Sequence, residues 1–298
     1  MKKKKALGFN KPWEAYVLLI PWIVGLLAFT IIPMIMSLYF SFTQYDMLTL
    51  PKWIGIANFT DMLKDPRIHK SFEVTFKYVF IGGPFHLAFA LLVAVILRRN
   101  RRGIRYYRAI YYLPSLFGGS VAVSLLWRQI FNQEGIVNRF LALFGIIGKN
   151  WIAMPGTVLY TLILLHIWQF GSAMVVFLGG LKNISPEYYE AAEIDGAGKV
   201  GCFFYITLPL LTPIIFFNLV MAIINSFQAF TASYIISGGT GSPLDATLFY
   251  TLYLYIRAFR QFYMGYASAM AWVLLVIIAV VTRLMFVISD KWVYYDDK

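Results

Sequence analysis

The sequence predicts an all-α integral membrane protein with six transmembrane helices. Hydrophobic residues make up 60% of the chain and charged residues only 13%, whereas a soluble domain carries roughly 25% charged residues. The apolar residues also lie in long blocks that contain no Asp, Glu, Lys or Arg, and the basic residues gather between these blocks. This chain therefore has too little polar surface for a water-soluble globule.

Each charge-free block is long enough to cross a bilayer as a helix, which takes about 20 apolar residues. The blocks cover residues 15–42, 78–97, 109–127, 150–181, 200–244 and 261–282. Helices are expected because lipid offers no partner to an unpaired backbone amide. The fifth block exceeds one span and contains Pro209, Pro213 and the pair Gly238-Gly239. We therefore expect one span there, at about 210–236, with its flanking segments at the interface.

The distribution of basic residues predicts the orientation, since Lys and Arg are enriched in cytoplasmic loops. They precede the first block and fill the short loop after the second: Lys2, Lys3, Lys4, Lys5, Lys11, Arg98, Arg99, Arg101, Arg102, Arg105 and Arg108. With six spans, both termini are then cytoplasmic. The expected organisation is a basic N-terminal segment (1–14), one transmembrane domain (15–288) and a cytoplasmic tail (289–298).

Several other classes of protein fit the sequence poorly. The net charge of +12 could suit a nucleic-acid partner, but its distribution follows the membrane rule and no such partner is expected. The first block is too long for the apolar region of a signal peptide, and no small-residue cleavage site follows it. Cys202 is the single cysteine, which excludes an internal disulfide and a cysteine-based metal cluster.

The segment between the fourth and fifth blocks, at about 181–208, encodes more than a connector. Ser185 can cap a helix, Pro186 suits its first position, and Gly196 can end it in the left-handed conformation. An acidic stripe, formed by Glu187, Glu190 and Glu193, lies beside Ala191 and Ala192. This face suits docking into a basic groove. An amphipathic helix on the inner leaflet is less well supported, because anionic lipid repels acidic residues.

Polar side chains inside the fourth and fifth blocks indicate a possible substrate pathway, since polar groups in a span cost free energy. They are His166, Gln169, Ser172, Asn218, Asn225, Ser226 and Gln228. Amides beside aromatic rings suit a sugar, which offers hydroxyls and apolar CH faces. Hydrogen bonding between packed helices explains any one of these residues about equally well. His86, in the second block, is interpreted as a residue that packs between helices.

The 181–208 segment contains residues that match a motif of a known family, and further matches lie elsewhere in the chain. The matching residues are Glu190-Ala191-Ala192, Asp195-Gly196-Ala197 and Ile206-x-Leu208-Pro209, with further matches at Leu113-Pro114, Phe131-Asn132-x-x-Gly135-x-x-Asn138, Gly238-Gly239, Thr247-Leu248 and Tyr253-x-Tyr255. They are similar to the "EAA" signature and accompanying motifs of the permease subunits of binding-protein-dependent ABC importers of the sugar type. The resemblance implies the type I importer architecture with six helices.

The resemblance also implies roles for individual residues. The EAA loop of the family couples the permease to a separate ATPase, which here assigns coupling to Glu187, Glu190, Ala191, Ala192, Asp195 and Gly196. Glu190 is then the salt-bridging contact and Gly196 the turn between two coupling helices. Ser115, His166, Asn218 and Asn225 fall where the family lines its sugar cavity, although the residues differ from the family example. With Gln169 and Gln228 they form the expected substrate pathway.

The partners expected from the resemblance are a second, homologous permease in a heterodimer, two ATP-binding subunits and an extracytoplasmic solute-binding protein, all in or at a bacterial plasma membrane. The substrate would be a sugar, and an oligosaccharide is favoured. No GxxxxGK[ST] loop is present. ATP and Mg²⁺ are therefore expected in the partner ATPase, with no catalytic residue, metal or cofactor in this chain.

Two other functions fit the sequence less well. An ion-coupled secondary transporter would need intramembrane carboxylates or broken-helix repeats, and the charge-free blocks contain no Asp or Glu. A membrane-embedded enzyme would need a carboxylate pair, a Cys/His pair or a metal-ligand cluster within the spans. Both are less well supported by the sequence than the importer subunit.

Overall fold

The computed structural model of the chain describes residues 12–98 and 102–294. The basic residues Lys2 to Lys5, Lys11, Arg99 and Arg101, on which part of the predicted orientation rests, lie outside the described residues. Two compact units can be distinguished: Met1–Met62 with Arg257–Trp272, and Leu63–Ile256 with Val273–Lys298.

The described residues are mostly helical, as predicted. The α-helices are α1 (Pro12–Leu26), α2 (Ile32–Ser41), α3 (Ala57–Lys64), α4 (Pro66–Lys77), α5 (Gly83–Leu97), α6 (Ile104–Phe117), α7 (Val121–Ile130), α8 (Ile136–Ala142), α9 (Pro155–Trp168), α10 (Gly171–Asn183), α11 (Pro186–Ile194), α12 (Lys199–Cys202), α13 (Leu208–Leu210), α14 (Thr212–Phe227), α15 (Thr231–Ile236), α16 (Tyr250–Tyr255) and α17 (Met264–Ser289). A short antiparallel pair, β1 (Thr43–Gln44) and β2 (Lys52–Trp53), is the departure from an all-α fold.

Between four and six segments of the described chain can cross a membrane. Four helical segments are long and apolar enough by themselves: Tyr16–Ser41, Pro66–Leu97, Lys199–Ile236 and Met264–Ser289. Two further segments are bent pairs, α6 with α7 at 101° and α9 with α10 at 42°. The third and fourth charge-free blocks are therefore broken helices, a feature that span counting did not predict.

In three of the long segments a widened helical turn precedes a proline. π-Helical turns cover Leu27–Ile31, Tyr78–Gly82 and Phe203–Thr207, and each ends two residues before a proline: Pro33, Pro84 and Pro209. Proline lacks the N–H that would complete the ladder, and a wide turn accommodates the freed carbonyl. The helical segment that contains the fifth predicted span thus begins at Lys199 and continues through Pro209.

In the first unit, polar and aromatic contacts hold the β1–β2 region. The Asn58 side-chain amide donates 2.9 Å hydrogen bonds to the carbonyls of Ser41 and Thr43, and the rings of Phe42 and Trp53 stack at 5.5 Å. The Asp46 carboxylate accepts hydrogen bonds from the backbone and hydroxyl of the nearby Thr49. These bonds lower the pKa of Asp46 below its ordinary value, because they favour the ionised form.

In the second unit, the apolar core lies between α5, α10 and α14. Its fully or nearly fully buried members include Ala90, Met174, Phe177, Leu181 and Leu211. Gly180 permits close approach of α10 and α14, because a Cβ there would lie only 2.1 Å from a side-chain methyl of Ile214. The core therefore joins parts of three predicted spans, and Tyr189 of the 181–208 segment packs against it.

Candidate functional site

The segment after α10 folds as the sequence predicts: a capped helix, a glycine turn and a second helix. The Ser185 hydroxyl accepts a 3.4 Å hydrogen bond from the backbone of Glu187, at the first turn of α11. Gly196 adopts a φ of +80°, and two backbone bonds close the helix end, from Gly196 to the Glu193 carbonyl at 3.1 Å and from Ala197 to the Ala192 carbonyl at 2.8 Å. This is a Schellman ending, which requires a left-handed residue after the helix.

The residues predicted to contact an ATPase lie together on this segment. Glu187, Glu190, Ala191, Asp195 and Gly196 are exposed, while Ala192 is half-buried. The acidic side chains form no ion pair with another described residue. The result is an acidic surface with small side chains between the charges, available to a partner that carries positive charge.

Tyr189, which the sequence interpretation passed over, ties α11 to the membrane segments. Its hydroxyl accepts a 2.9 Å hydrogen bond from Arg98 at the end of α5 and lies 2.9 Å from the hydroxyl of Thr207. Arg98 also lies over the ring, 4.4 Å from its centre. Thr207 in turn donates to the Cys202 carbonyl at 3.2 Å, which orients the chain of bonds from Arg98 through Tyr189 to Thr207. The sequence feature that could have indicated this role is an aromatic residue immediately before Glu190.

A cavity of about 390 Å³ lies beside this contact. Arg98, Tyr189, Glu193, Lys199 and Cys202 are among its lining residues. The space separates part of α11 from the start of the long Lys199–Ile236 segment. Tyr189 therefore forms a specific polar bridge across a region that is otherwise loosely filled.

Among the predicted pathway residues, His166 lies at the break between α9 and α10 and packs on His86. The two imidazoles stack at 4.4 Å between centres, and the His86 Nδ1–H donates a 2.8 Å hydrogen bond to the His166 carbonyl. The Nε2 of His166 lies 3.5 Å from the hydroxyl of Ser226. His86 is buried, which agrees with its interpretation as a packing residue, and it satisfies a carbonyl at a helix end.

Gln169 and Ser115 connect the two bent segments. The Gln169 side-chain amide donates a 2.8 Å hydrogen bond to the carbonyl of Gly118, at the break between α6 and α7. Ser115 bonds the Tyr112 carbonyl within its own helix. A Cβ at Gly171 would lie 2.9 Å from the Ser115 hydroxyl oxygen, so α6 and α10 approach closely at this point. Both predicted pathway residues thus have packing partners in this structure.

The amides of α14 divide into a buried and an exposed group. Asn218 is buried, and its side chain donates a 3.0 Å hydrogen bond to the Ile214 carbonyl of the same helix. Asn225 and Gln228, at the end of α14, are exposed. The Asn225 amide has no hydrogen-bond partner among the residues that the structure describes. Lipid cannot satisfy an exposed amide, so these two side chains require water, a polar pathway or another subunit beside them.

The motif at 131–138 forms a network of hydrogen bonds after α7, centred on Asn138. The Asn138 amide donates to the carbonyls of Asn132, Gln133 and Lys149, and its oxygen accepts a 2.7 Å bond from the Trp151 indole. Hydrogen bonds also hold the loop that contains Asp245 and Thr247. The Arg67 guanidinium donates to both carboxylate oxygens of Asp245, at 2.6 and 2.9 Å. These motif residues position loops and are candidates for structural roles.

The chain is similar to known membrane transport proteins over most of its length. A family described as "Binding-protein-dependent transport system inner membrane component" matches residues 72–294. A probable ABC transporter permease protein, YesP of Bacillus subtilis, is 53% identical over 300 residues, covering 100% of this chain and 97% of that protein. The lactose transport system permease protein LacF of Rhizobium radiobacter is 31% identical, covering 92% of this chain and 93% of that protein.

A solved structure shares the fold. A chain of a bacterial ABC transporter involved in the import of the acidic polysaccharide alginate aligns with a TM-score of 0.77 at 22% identity, covering 94% of this chain and 96% of that chain. The family match spans most of the sequence and includes the α11 segment, the bent helices and the exposed amides described above. The chain therefore belongs to the family of binding-protein-dependent transport system inner membrane components.

Proposed function

We propose that this chain is the membrane-spanning permease subunit of an ATP-driven importer that translocates an oligosaccharide. The observation that carries the coupling is the exposed acidic face of α11, tied through Tyr189 to α5 and to the fifth span. A partner that pulls or pushes α11 would move those segments with it. Alternating access then follows from movement of the spans around a central pathway.

The proposed assembly contains a second, homologous permease, two ATP-binding subunits and an external solute-binding protein. ATP and Mg²⁺ would be bound by the ATPase subunits. Membership of a family named for binding-protein dependence supports the external partner. A related alginate ABC transporter has been crystallised in complex with a pentasaccharide-bound periplasmic protein, with a TM-score of 0.78 to this chain. Six spans with both termini in the cytoplasm of a bacterium complete the proposal.

The names of the relatives support a sugar as the substrate. Besides the lactose permease protein, the arabinooligosaccharides transport system permease protein AraP of Bacillus subtilis is 30% identical over 295 residues. A permease protein for sn-glycerol-3-phosphate is also related, at 28% identity. The exposed Asn225 and Gln228 offer neutral donors and acceptors suited to hydroxyl groups. No positive side chain accompanies them in α14, which favours a neutral sugar over a phosphate ester.

An ion-coupled transporter, the alternative function, could also contain broken helices such as the two bent pairs, but the described spans offer it no suitable carboxylate. Glu73 lies in the Pro66–Leu97 segment, but its oxygens are paired with Lys70 at 3.0 Å and Lys77 at 2.5 Å near the start of that segment. A carboxylate paired on both sides is poorly placed to carry a proton or sodium ion through the bilayer.

Uptake by the reconstituted complex tests the proposed function. The chain is co-purified with its partners, placed in proteoliposomes and supplied with the solute-binding protein and ATP. Glu190→Gln is expected to reduce sugar uptake per ATP hydrolysed, while Glu134→Gln, which also neutralises an exposed carboxylate, leaves it unchanged. ATP-independent uptake that follows an ion gradient would refute the proposal, and so would unaltered uptake in the Glu190 variant.

A further inference from the structure

A groove in the second unit lies between the end of α5 and the start of α6, with a cavity volume of about 690 Å³. Its walls are mainly apolar and include Val93, Ile96, Leu97, Tyr107 and Tyr111. The Ile96 side chain is 62% exposed and Tyr107 is 56% exposed, so these walls are open in this chain. The function proposed above does not use this surface.

Positive charge is concentrated at one end of the groove. Arg102 lines it, is exposed and forms no ion pair with any described residue. Arg108 does not line the groove, but it donates a 2.7 Å hydrogen bond to the carbonyl of Leu97, which does. The Arg108 Nε is buried without a hydrogen-bond partner in the described ranges 12–98 and 102–294. The lining residues include no carboxylate. A negative group at this end would therefore be favoured.

This combination matches one class of occupant. An acyl chain can lie along apolar walls in the bilayer, tyrosines are enriched at the level of lipid headgroups, and arginine pairs readily with phosphate. Basic pockets between membrane helices are known binding sites for anionic headgroups. We propose that the groove between α5 and α6 binds an anionic phospholipid, with its acyl chain against Ile96 and Tyr107 and its phosphate facing Arg102.

The apolar walls disfavour a soluble anion, which would leave them unpaired with any apolar group. A helix of another subunit would bury the Arg102 charge unless it brought a carboxylate. The inference needs the chain to lie in a membrane, which its family shows, and is independent of the transported substrate. Its failure would leave the importer proposal untouched.

Lipid retention tests the site. The full chain with its co-purified partners is placed in nanodiscs of equal parts phosphatidylglycerol and phosphatidylcholine, then extracted gently and analysed by native mass spectrometry. The wild type is expected to retain phosphatidylglycerol in preference to phosphatidylcholine. Arg102→Gln should weaken this retention about fivefold, because it removes the charge-assisted pairing of this side chain with the lipid phosphate. Arg105→Gln, the same charge change three residues away and outside the groove lining, should not.

A second pair of variants tests the acyl chain. Ile96→Trp fills the groove and should reduce retention, whereas Leu92→Trp, one turn earlier on the same helix and also exposed, should not. A photocrosslinker placed at position 96 should label phosphatidylglycerol. Labelling of a partner permease instead, equal retention of both lipids, or identical retention by the Arg102 and Arg105 variants would overturn the inference.

Discussion

Arg98 at the end of α5 donates a 2.9 Å hydrogen bond to the hydroxyl of Tyr189 in α11 while its guanidinium lies 4.4 Å from the centre of the same ring. The Tyr189 hydroxyl then donates to Thr207, in the first turns of the fifth span. One side chain thus links the segment proposed to face the ATPase with two membrane segments. The link combines a hydrogen-bond chain with a cation–π contact, which can be separated by mutation.

Tyr189→Phe removes the hydroxyl but keeps the ring. Two hydrogen bonds are lost, each contributing about 1 kcal/mol, so the link between α11 and the spans should loosen. In the reconstituted complex we expect ATP hydrolysis to continue while sugar uptake per ATP falls several-fold. Tyr188→Phe, at the exposed neighbouring position, is the matched control and should behave as wild type. Equal coupling ratios in the two variants would contradict the proposed link.

Gly196→Ala tests the left-handed turn that separates the two helices. A Cβ at Gly196 meets nothing within 4 Å, so the cost is conformational strain at φ +80°, about 1–2 kcal/mol. We expect weaker co-purification of the ATPase subunits, because the turn orients α11. Gly201→Ala has equal space but lies in α12 without positive φ, and should be neutral or slightly stabilising. Similar losses in both variants would show that the turn geometry is unimportant.

His86→Ala removes the donor to the His166 carbonyl. Because the His86 side chain is buried, water can replace the lost donor only in part, and the protein should be destabilised by about 1–3 kcal/mol. His69 donates a comparable 2.9 Å bond to the Leu63 carbonyl, but in an exposed setting where water can replace it. Thermal unfolding of the purified protein should therefore show a clear decrease in Tm for His86→Ala and little change for His69→Ala. A matching decrease in both would argue against the buried cap.

Asn225→Ala and Asn218→Ala separate substrate contact from packing. If the exposed Asn225 amide bonds a sugar hydroxyl, its loss should raise the KM for uptake about fivefold, the equivalent of roughly 1 kcal/mol, without changing Tm. Asn218 is satisfied within α14, so Asn218→Ala should leave KM unchanged and lower Tm slightly. The assignment fails if the KM of the Asn225 variant equals that of wild type.

Local chemistry made the α11 segment predictable. Ser185, Pro186 and Gly196 act through the backbone of their own neighbours, and each adopts the predicted role. The positions of Glu190 and Ala192 on one short helix follow from the same local signals. Whether these residues contact an ATPase stays a prediction, since it concerns another chain.

The breaks in the third and fourth segments were not predictable by span counting. A run of apolar residues gives the length of a segment but not its straightness, and the bends depend on contacts between distant parts of the chain. A Cβ at Gly118 would collide with the side chain of Gln169 from the other bent segment, at 2.5 Å. A Cβ at Gly171 would collide with the backbone carbonyl oxygen of Tyr111, at 2.7 Å. Likewise, span counting did not predict that the helix would continue through Pro209, where a widened turn compensates for the missing N–H. The role of Tyr189 was not predictable for the same reason, because its partners Arg98 and Thr207 are remote in sequence.

The hydrogen bond from Gln169 to Gly118 joins the corner of one bent segment to the corner of the other. Straightening either segment would break this bond and separate the half-buried Gln169 amide from the buried Gly118 carbonyl. The bond therefore couples the two bends, and moving one corner without the other costs about 1–3 kcal/mol, the effect of leaving one partner unmatched.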